Sequence, residues 1–224
     1  MSLSLGLFDV FTYTVPGSLY LSVLLFVADS LHLVRVQSFT GVPSVVLVAG
    51  LLIASYMLGW TAEPIAEMLN RGVHFRAAKN DVVARKEFAA QVPSAAGRPF
   101  VQADIYLLLA AAEIHAQDAA TEISRLRATG LMLRNCSVPF LTACAVAVME
   151  AAAGNHTAVS AVTAVLFAAA TVSVLRAGRR VRTWASSKTL QVCYWIPEID
   201  EIIRDGNTAP ARGQRRSRTI RRTS

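Results

Sequence analysis

The sequence predicts an all-α integral membrane protein with four transmembrane helices and a cytoplasmic helical hairpin extending the second and third spans. Three observations predict it. Of the 224 residues, 54% are apolar and only 17% are charged, against roughly 25% charged in soluble domains. Four apolar runs are long enough to cross a bilayer. Nearly all basic residues fall on one side of those runs. The expected organisation is a first transmembrane pair over 1–61 and the hairpin over 62–135. A second transmembrane pair over 136–175, a cytoplasmic juxtamembrane segment over 176–206 and a disordered tail over 207–224 follow.

The first run, 16–36, reads PGSLYLSVLLFVADSLHLVRV. Pro16-Gly17 predicts a sharp helix start, because proline suits the first helical turn. Ala28-Asp29-Ser30 has the form of a signal-peptide cleavage site. A signal peptide needs a positive leading region, whereas residues 1–15 carry no Lys or Arg, so a retained helix is expected. The second run covers 43–61, the third 136–153 and the fourth 157–175. The last two are rich in alanine, as suits helices packed inside a bundle. Ser160, Ala164 and Ala168 recur every fourth residue, a spacing that lets helices approach closely in lipid.

Charge sets the expected topology. Segment 62–135 and the stretch after the fourth run hold all but Arg35 of the 22 Lys and Arg residues. The positive-inside rule places both, with the N-terminus, on the cytoplasmic side. Only Lys79, Lys86 and Lys188 are lysine. That arginine bias, with abundant alanine, points to a GC-rich bacterial genome, so a multi-pass bacterial inner-membrane protein with both termini cytoplasmic is expected.

Within the hairpin, arms over 62–92 and 100–135 flank PSAAGRP, a turn by its two prolines and glycine. In the second arm Ile105, Leu109, Ala112, Ala116, Ala119, Ile123, Leu126 and Gly130 alternate by four and three, a heptad spacing. The seam faces either the first arm, through Ile65, Leu69, Val73 and Val83, or a second copy of the chain, which makes a homo-oligomer an expected state.

No Gly-rich phosphate loop, G-x-S-x-G or H-E-x-x-H occurs, so the sequence assigns no catalytic residue, no cofactor and no metal. Cys136, Cys144 and Cys193 lack C-x-x-C spacing and read as buried thiols. Asp29, His32, Glu150 and His156 are expected at one depth near the external face. Interfacial solvation and helix capping account for them most simply; the sharper alternative is the mouth of an ion pathway.

His74 and His115 fall on the two hairpin arms. His74, Arg76 and Lys79 are basic enough for a nucleotide phosphate, though an ordinary charged helix face explains them more simply. Trp184, Tyr194 and Trp195 are expected at the membrane interface or on the hairpin base. The tail NTAPARGQRRSRTIRRTS has little that could form a core. Its Arg212, Arg215, Arg216, Arg218, Arg221 and Arg222 are expected to bind anionic lipid, at about 1 kcal/mol per charge near the surface, in preference to nucleic acid.

The opening LFDVFTYTVPGSLYLSVLLF, residues 7–26, resembles the start of small bacterial multi-span membrane proteins that accompany signalling or phage-defence enzymes; Asp9, Tyr13, Pro16 and Gly17 carry the match. The resemblance implies a multi-span effector triggered by a cytoplasmic partner. Three functions are thus in view. The first is an oligomeric effector that opens or perturbs the membrane on a cytosolic protein or nucleotide signal. The second is a non-catalytic anchor recruiting a soluble enzyme. The third is an enzyme acting on lipid at the external face.

Overall fold

A computed structural model describes residues 3–33, 43–73, 80–154, 157–197, 199–201 and 203. The regular elements among them are all helical: α1 (Leu3–Ser30), α2 (Ser44–Val73), α3 (Asn80–Gln91), a 3-10 turn (Pro93–Ala95), α4 (Pro99–Gln102), α5 (Ile105–His115), α6 (Gln117–Asn135), α7 (Ser137–Ala152) and α8 (Thr157–Tyr194). Four stretches are long and apolar enough to cross a membrane: Val10–Ser30, Ser44–Gly72, Gln117–Ala152 and Thr157–Tyr194. The chain divides into two compact units, one of Met1–Ala77 with Arg125–Arg182, the other of Ala78–Ser124 with Thr183–Ser224.

In the first unit α1 and α2 are packed backbone to backbone. A Cβ added to Gly17 would lie 1.6 Å from the Ser55 carbonyl oxygen, and one added to Gly59 would lie 1.9 Å from that of Tyr13. Lipid supplies no hydrophobic drive between helices, so such close approach, with its dispersion contacts, is what can hold them together. Thr12 and Ser55 are buried nearby, and Tyr13 meets Tyr56 edge-on at 5.8 Å between centroids. Gly130 and Gly178 serve α6 and α8 similarly: a Cβ added to Gly130 would lie 3.2 Å from the Gly178 carbonyl oxygen, and one added to Gly178 would lie 3.0 Å from that of Gly130.

Pro16 does not start α1 as the sequence predicts; it lies buried inside a helix that begins at Leu3. Proline there withholds one N–H from the Thr12 carbonyl, and the helix tolerates the gap between apolar turns on both sides. Its C-terminus follows a recognisable left-handed cap. The Leu33 N–H donates to the Ala28 carbonyl and the His32 N–H to that of Asp29, with His32 at φ 59°. Span one therefore ends near Ser30; the expected exit at residue 36 lies outside the described residues. Gly154, at φ 83°, takes the left-handed position beyond α7.

The break between α6 and α7 has a local cause. Pro139 stands in the first turn of α7 and cannot donate to the Asn135 carbonyl. The Ser137 hydroxyl steadies the junction by donating to the Arg134 carbonyl at 2.6 Å. Further along, Phe140 stacks on Phe167 at 6.1 Å and the Cys144 thiol donates to the Ala164 carbonyl. Many large apolar side chains of α2 and α8 are uncovered, Val45 at 78% and Val165 at 69% exposure among them. Faces of this kind suit hydrocarbon.

The second unit has its own core, with Phe88, Phe100, Val101, Leu108, Leu190, Cys193, Ile196, Ile199 and Ile203 at its centre. Two expectations are corrected here. Residues 100–135 are not one helix. Asp104 leaves the helical conformation to cap α5, its carboxylate accepting from the Tyr106 N–H at 2.7 Å, a role in which aspartate outperforms its weak helix propensity. Ala116, at φ −147°, then separates α5 from α6. Nor does the fourth helix end near 175: α8 continues to Tyr194. Residues 190, 193, 196, 199 and 203 form an apolar stripe that is buried in the same core as α3 and α5, where a separate juxtamembrane segment was expected. Asp200 locks that junction by accepting from Arg98 Nε at 2.8 Å and the Phe100 N–H at 3.2 Å.

Candidate functional site

The most distinctive polar arrangement lies in the first unit. In GWTAEPIAEMLNRG, Glu63, Glu67 and Arg71 stand four residues apart and share one face of α2. Arg134 comes from the end of α6. Its NH2 donates to Glu63 Oε1 at 3.3 Å and its NH1 donates to Glu67 Oε2. The Tyr13 hydroxyl donates to Glu63 Oε2 at 3.2 Å, and Arg71 Nε donates to Glu67 Oε1 at 3.1 Å. One guanidinium thus bridges two carboxylates, using the planar fork that makes arginine suited to such pairing.

Burial is uneven across the group. The Arg134 side chain is only 8% exposed, whereas those of Glu63 and Glu67 are about a third exposed, at 35% and 34%. Arg134 Nε, with both polar atoms of the adjoining Asn135 side chain, is buried without a hydrogen-bond partner. Arg182 adds a further positive charge near Arg134. The carboxylates face an open groove of about 650 Å³ lined by Trp60, Thr61, Glu63, Pro64, Glu67 and Arg134. Pro64, inside α2, has no N–H to offer the Trp60 carbonyl four residues earlier.

The groove's place along the chain gives it meaning. The apolar run of α2 ends at Trp60, and that of α7 starts just beyond Arg134. Tryptophan and charged residues are the types enriched at the ends of membrane-spanning runs. Ionisable side chains paired at such positions are functional candidates. Chemically, the arrangement can hold a hydrogen-bonding cation, and it can fasten α2 to α6.

The residues singled out in the sequence are distributed otherwise. Asp29 and His32 are exposed at the cap of α1, and Glu150 is half-buried in the last turn of α7. His156 lies outside the described residues, as do His74, Arg76, Lys79 and the arginines at 212, 215, 216, 218, 221 and 222. Among the described residues no group of three or more His, Cys, Asp or Glu could hold a metal. Of the seam positions, Ile105, Ala112, Ile123 and Gly130 are buried, and Leu109, Ala116, Ala119 and Leu126 are half-buried. His115 Nδ1 lies 3.0 Å from the Ala111 carbonyl of its own helix. Trp184 and Trp195 are exposed, while Tyr194 packs against Phe88 and Trp195.

Sequence reasoning passed over Glu63, Glu67 and Arg134. Arg134 counted only as one more loop cation, although its position directly before an apolar run was visible. The spacing of Glu63, Glu67 and Arg71 around Pro64, one step past Trp60, was the other available signal. Comparison with known protein families, curated proteins and solved structures gives no match for this chain.

Proposed function

We propose that the chain is an oligomeric bacterial inner-membrane effector, pore-forming or membrane-perturbing, controlled from the cytoplasm through its second unit. The observation that carries this reading is the continuity of α6. One helix runs from Gln117, in the second unit, to Asn135, in the first, and its last turn carries the Arg134 that grips Glu63 and Glu67. A discrete ion-pair contact at the end of a helix is an element whose equilibrium a signal can bias. The charge distribution supports cytoplasmic placement of the second unit. The apolar outer faces support lateral association of copies. The resemblance at Leu7–Phe26 supports a role beside antiphage defence enzymes, with a cytosolic protein or nucleotide signal as trigger.

The test is dye release and single-channel current from liposomes holding the full chain, with cytosolic extract added as the source of trigger. The expected result is leakage that Asp29→Asn or Glu150→Gln reduces and that Arg134→Met alters in its dependence on the extract. Sealed liposomes containing folded protein under all these conditions would refute the effector reading. A non-catalytic anchor recruiting a soluble enzyme is the second reading. It is favoured by α5, whose Tyr106 and Ile114 are 72% and 80% exposed. Stoichiometric co-purification of one cytosolic protein, without ion flux, would select it.

A further inference from the structure

Helix α5 is apolar on both of its faces. In IYLLLAAAEIH every residue but Glu113 and His115 is aliphatic or tyrosine. Ile105, Leu108, Ala111 and Ala112 are buried, with Leu108 and Ala111 in the core of the second unit. On the other side Tyr106, Leu107 and Ile114 are 72%, 51% and 80% exposed, and Ala110 is exposed between them. At about 100° per residue these four fall within roughly 100° of arc, the width of a stripe that normally faces a core.

The rim of that face is acidic. Asp104 caps its start, Glu113 borders it about 20° beyond Tyr106, and Asp118 follows in the first turn of α6. All three are exposed and form no ion pair among the described residues. Such a rim repels anionic lipid, and two copies of the face would bring like charges together. A purely aliphatic partner would strip water from Glu113 without replacing it. Arginine suits both parts of the surface. Its methylene stem lies along apolar groups while its guanidinium reaches a carboxylate, and it stacks on a tyrosine ring.

That residue is abundant beyond Ile203, where 204–224 holds seven arginines against one acid, Asp205. Ile203 is buried in the same core as Leu108 and Ala111, so this segment leaves the fold beside α5. Fifteen residues lead from Ile203 to Arg218. A flexible tether of that length spans about 20 Å on average, against about 10–12 Å for the thickness of a helix. In an extended chain alternate residues share a face, which aligns Arg218, Ile220 and Arg222. The two arginines then stand about 13 Å apart at roughly 3.3 Å per residue. Asp104 and Glu113, nine residues apart, are also about 13 Å apart along α5.

We propose that residues 218–222 of the same chain dock on the open face of α5, the two arginines pairing with Asp104 and Glu113 and Ile220 covering Leu107 and Ala110. The docked segment occupies the face that a soluble partner would otherwise use, and anionic lipid competes for the same arginines. This assignment stands whether or not the protein opens a membrane.

The experiment is limited trypsin digestion of the full chain in neutral detergent without lipid, with initial cleavage after Arg218 and Arg222 read by intact mass. A synthetic peptide of residues 207–224 gives the rates for the free segment. Docking is expected to slow both cleavages about fivefold relative to the peptide, the scale of two partly exposed ion pairs. Asp104→Asn with Glu113→Gln should restore the peptide's rates, because asparagine keeps the α5 cap while both charges are gone. Glu87→Gln, at an exposed acid of α3, should leave the protection intact; its loss there would overturn the assignment to α5. Ile220→Ser changes the docking segment alone and should weaken the protection, which keeps the test decisive where the α5 double variant does not fold. Cleavage of the folded parent protein at the peptide's rates, or protection that either the folded double variant or Ile220→Ser leaves unchanged, would overturn the proposal. Protection lost on about tenfold dilution would overturn its assignment to the same chain, in favour of the tail of a second copy.

Discussion

The contact between α1 and α2 makes Gly59→Ala the sharpest test of the packing. The added methyl carbon would sit 1.9 Å from the Tyr13 carbonyl oxygen and 2.7 Å from its carbon. Restoring a normal contact of about 3.5 Å requires the helices to separate by roughly 1.6 Å at that level. Overpacking costs about 1–3 kcal/mol where side chains can shift. Here the struck atom is main chain inside a helix, so about 3 kcal/mol is expected, at the top of that range. Alanine's better helix propensity returns about 1 kcal/mol, leaving a net loss near 2.

Gly50→Ala is the internal control. It lies on the same helix, its Cβ would meet nothing within 4 Å, and it should gain about 1 kcal/mol by propensity alone. Thermal unfolding of both variants in one detergent, followed by circular dichroism, reads the difference directly. The separation expected between them is about 3 kcal/mol. Gly17→Ala should behave like Gly59→Ala, and the double variant should lose less than the two combined, since helices already parted accommodate the second methyl. Equal stability of Gly59→Ala and Gly50→Ala would refute the claim that main-chain contact holds this pair together.

Other substitutions probe different physics. Arg134→Met should destabilise by about 2–3 kcal/mol, below the 3–5 of a fully buried pair because Glu63 and Glu67 keep partial access to solvent. Adding Glu63→Gln and Glu67→Gln should recover part of that loss in the same unfolding assay. His32→Gly should stabilise by up to about 1 kcal/mol, since glycine enters the left-handed conformation without the Cβ penalty; no gain in melting temperature would count against the cap. Phe100→Ala, at a fully buried position, should cost about 3–5 kcal/mol and expose the second unit to limited proteolysis. Asp200→Asn, which weakens the pairing that joins Arg98 to the Phe100 N–H, should destabilise that unit more than Lys188→Ala. The Lys188–Glu122 pair is largely exposed and contributes at most about 1 kcal/mol.

What was legible in the sequence follows from the range of each interaction. Membrane-spanning capacity is a sum over adjacent residues, so four long apolar helices could be read from runs such as PSVVLVAGLLIASYMLGW. The turn at 93–99 was legible for the same reason, its prolines and glycine acting on their own backbone. Local rules were weaker where two of them competed. Pro16 can start a helix or lie within one, and apolar residues on both sides decided for the interior. Asp104 and Ala116 interrupt a heptad spacing that read as unbroken, because a side-chain cap at Asp104 displaced helix continuation.

By itself, then, the sequence determined helical class, the number of helices long and apolar enough to cross a membrane and the one-sided distribution of charge, all properties additive along the chain. Tertiary structure alone decided which residues meet. Arg134 reaches Glu63 and Glu67 across about seventy positions, and Asp200 reaches Arg98 across 102. The α1–α2 contact pairs Gly17 with Ser55 and Gly59 with Tyr13. None of these pairings leaves a periodic trace, since a contact between helices depends on their relative rotation and depth. The groove beside Trp60 exists only once those two quantities are set.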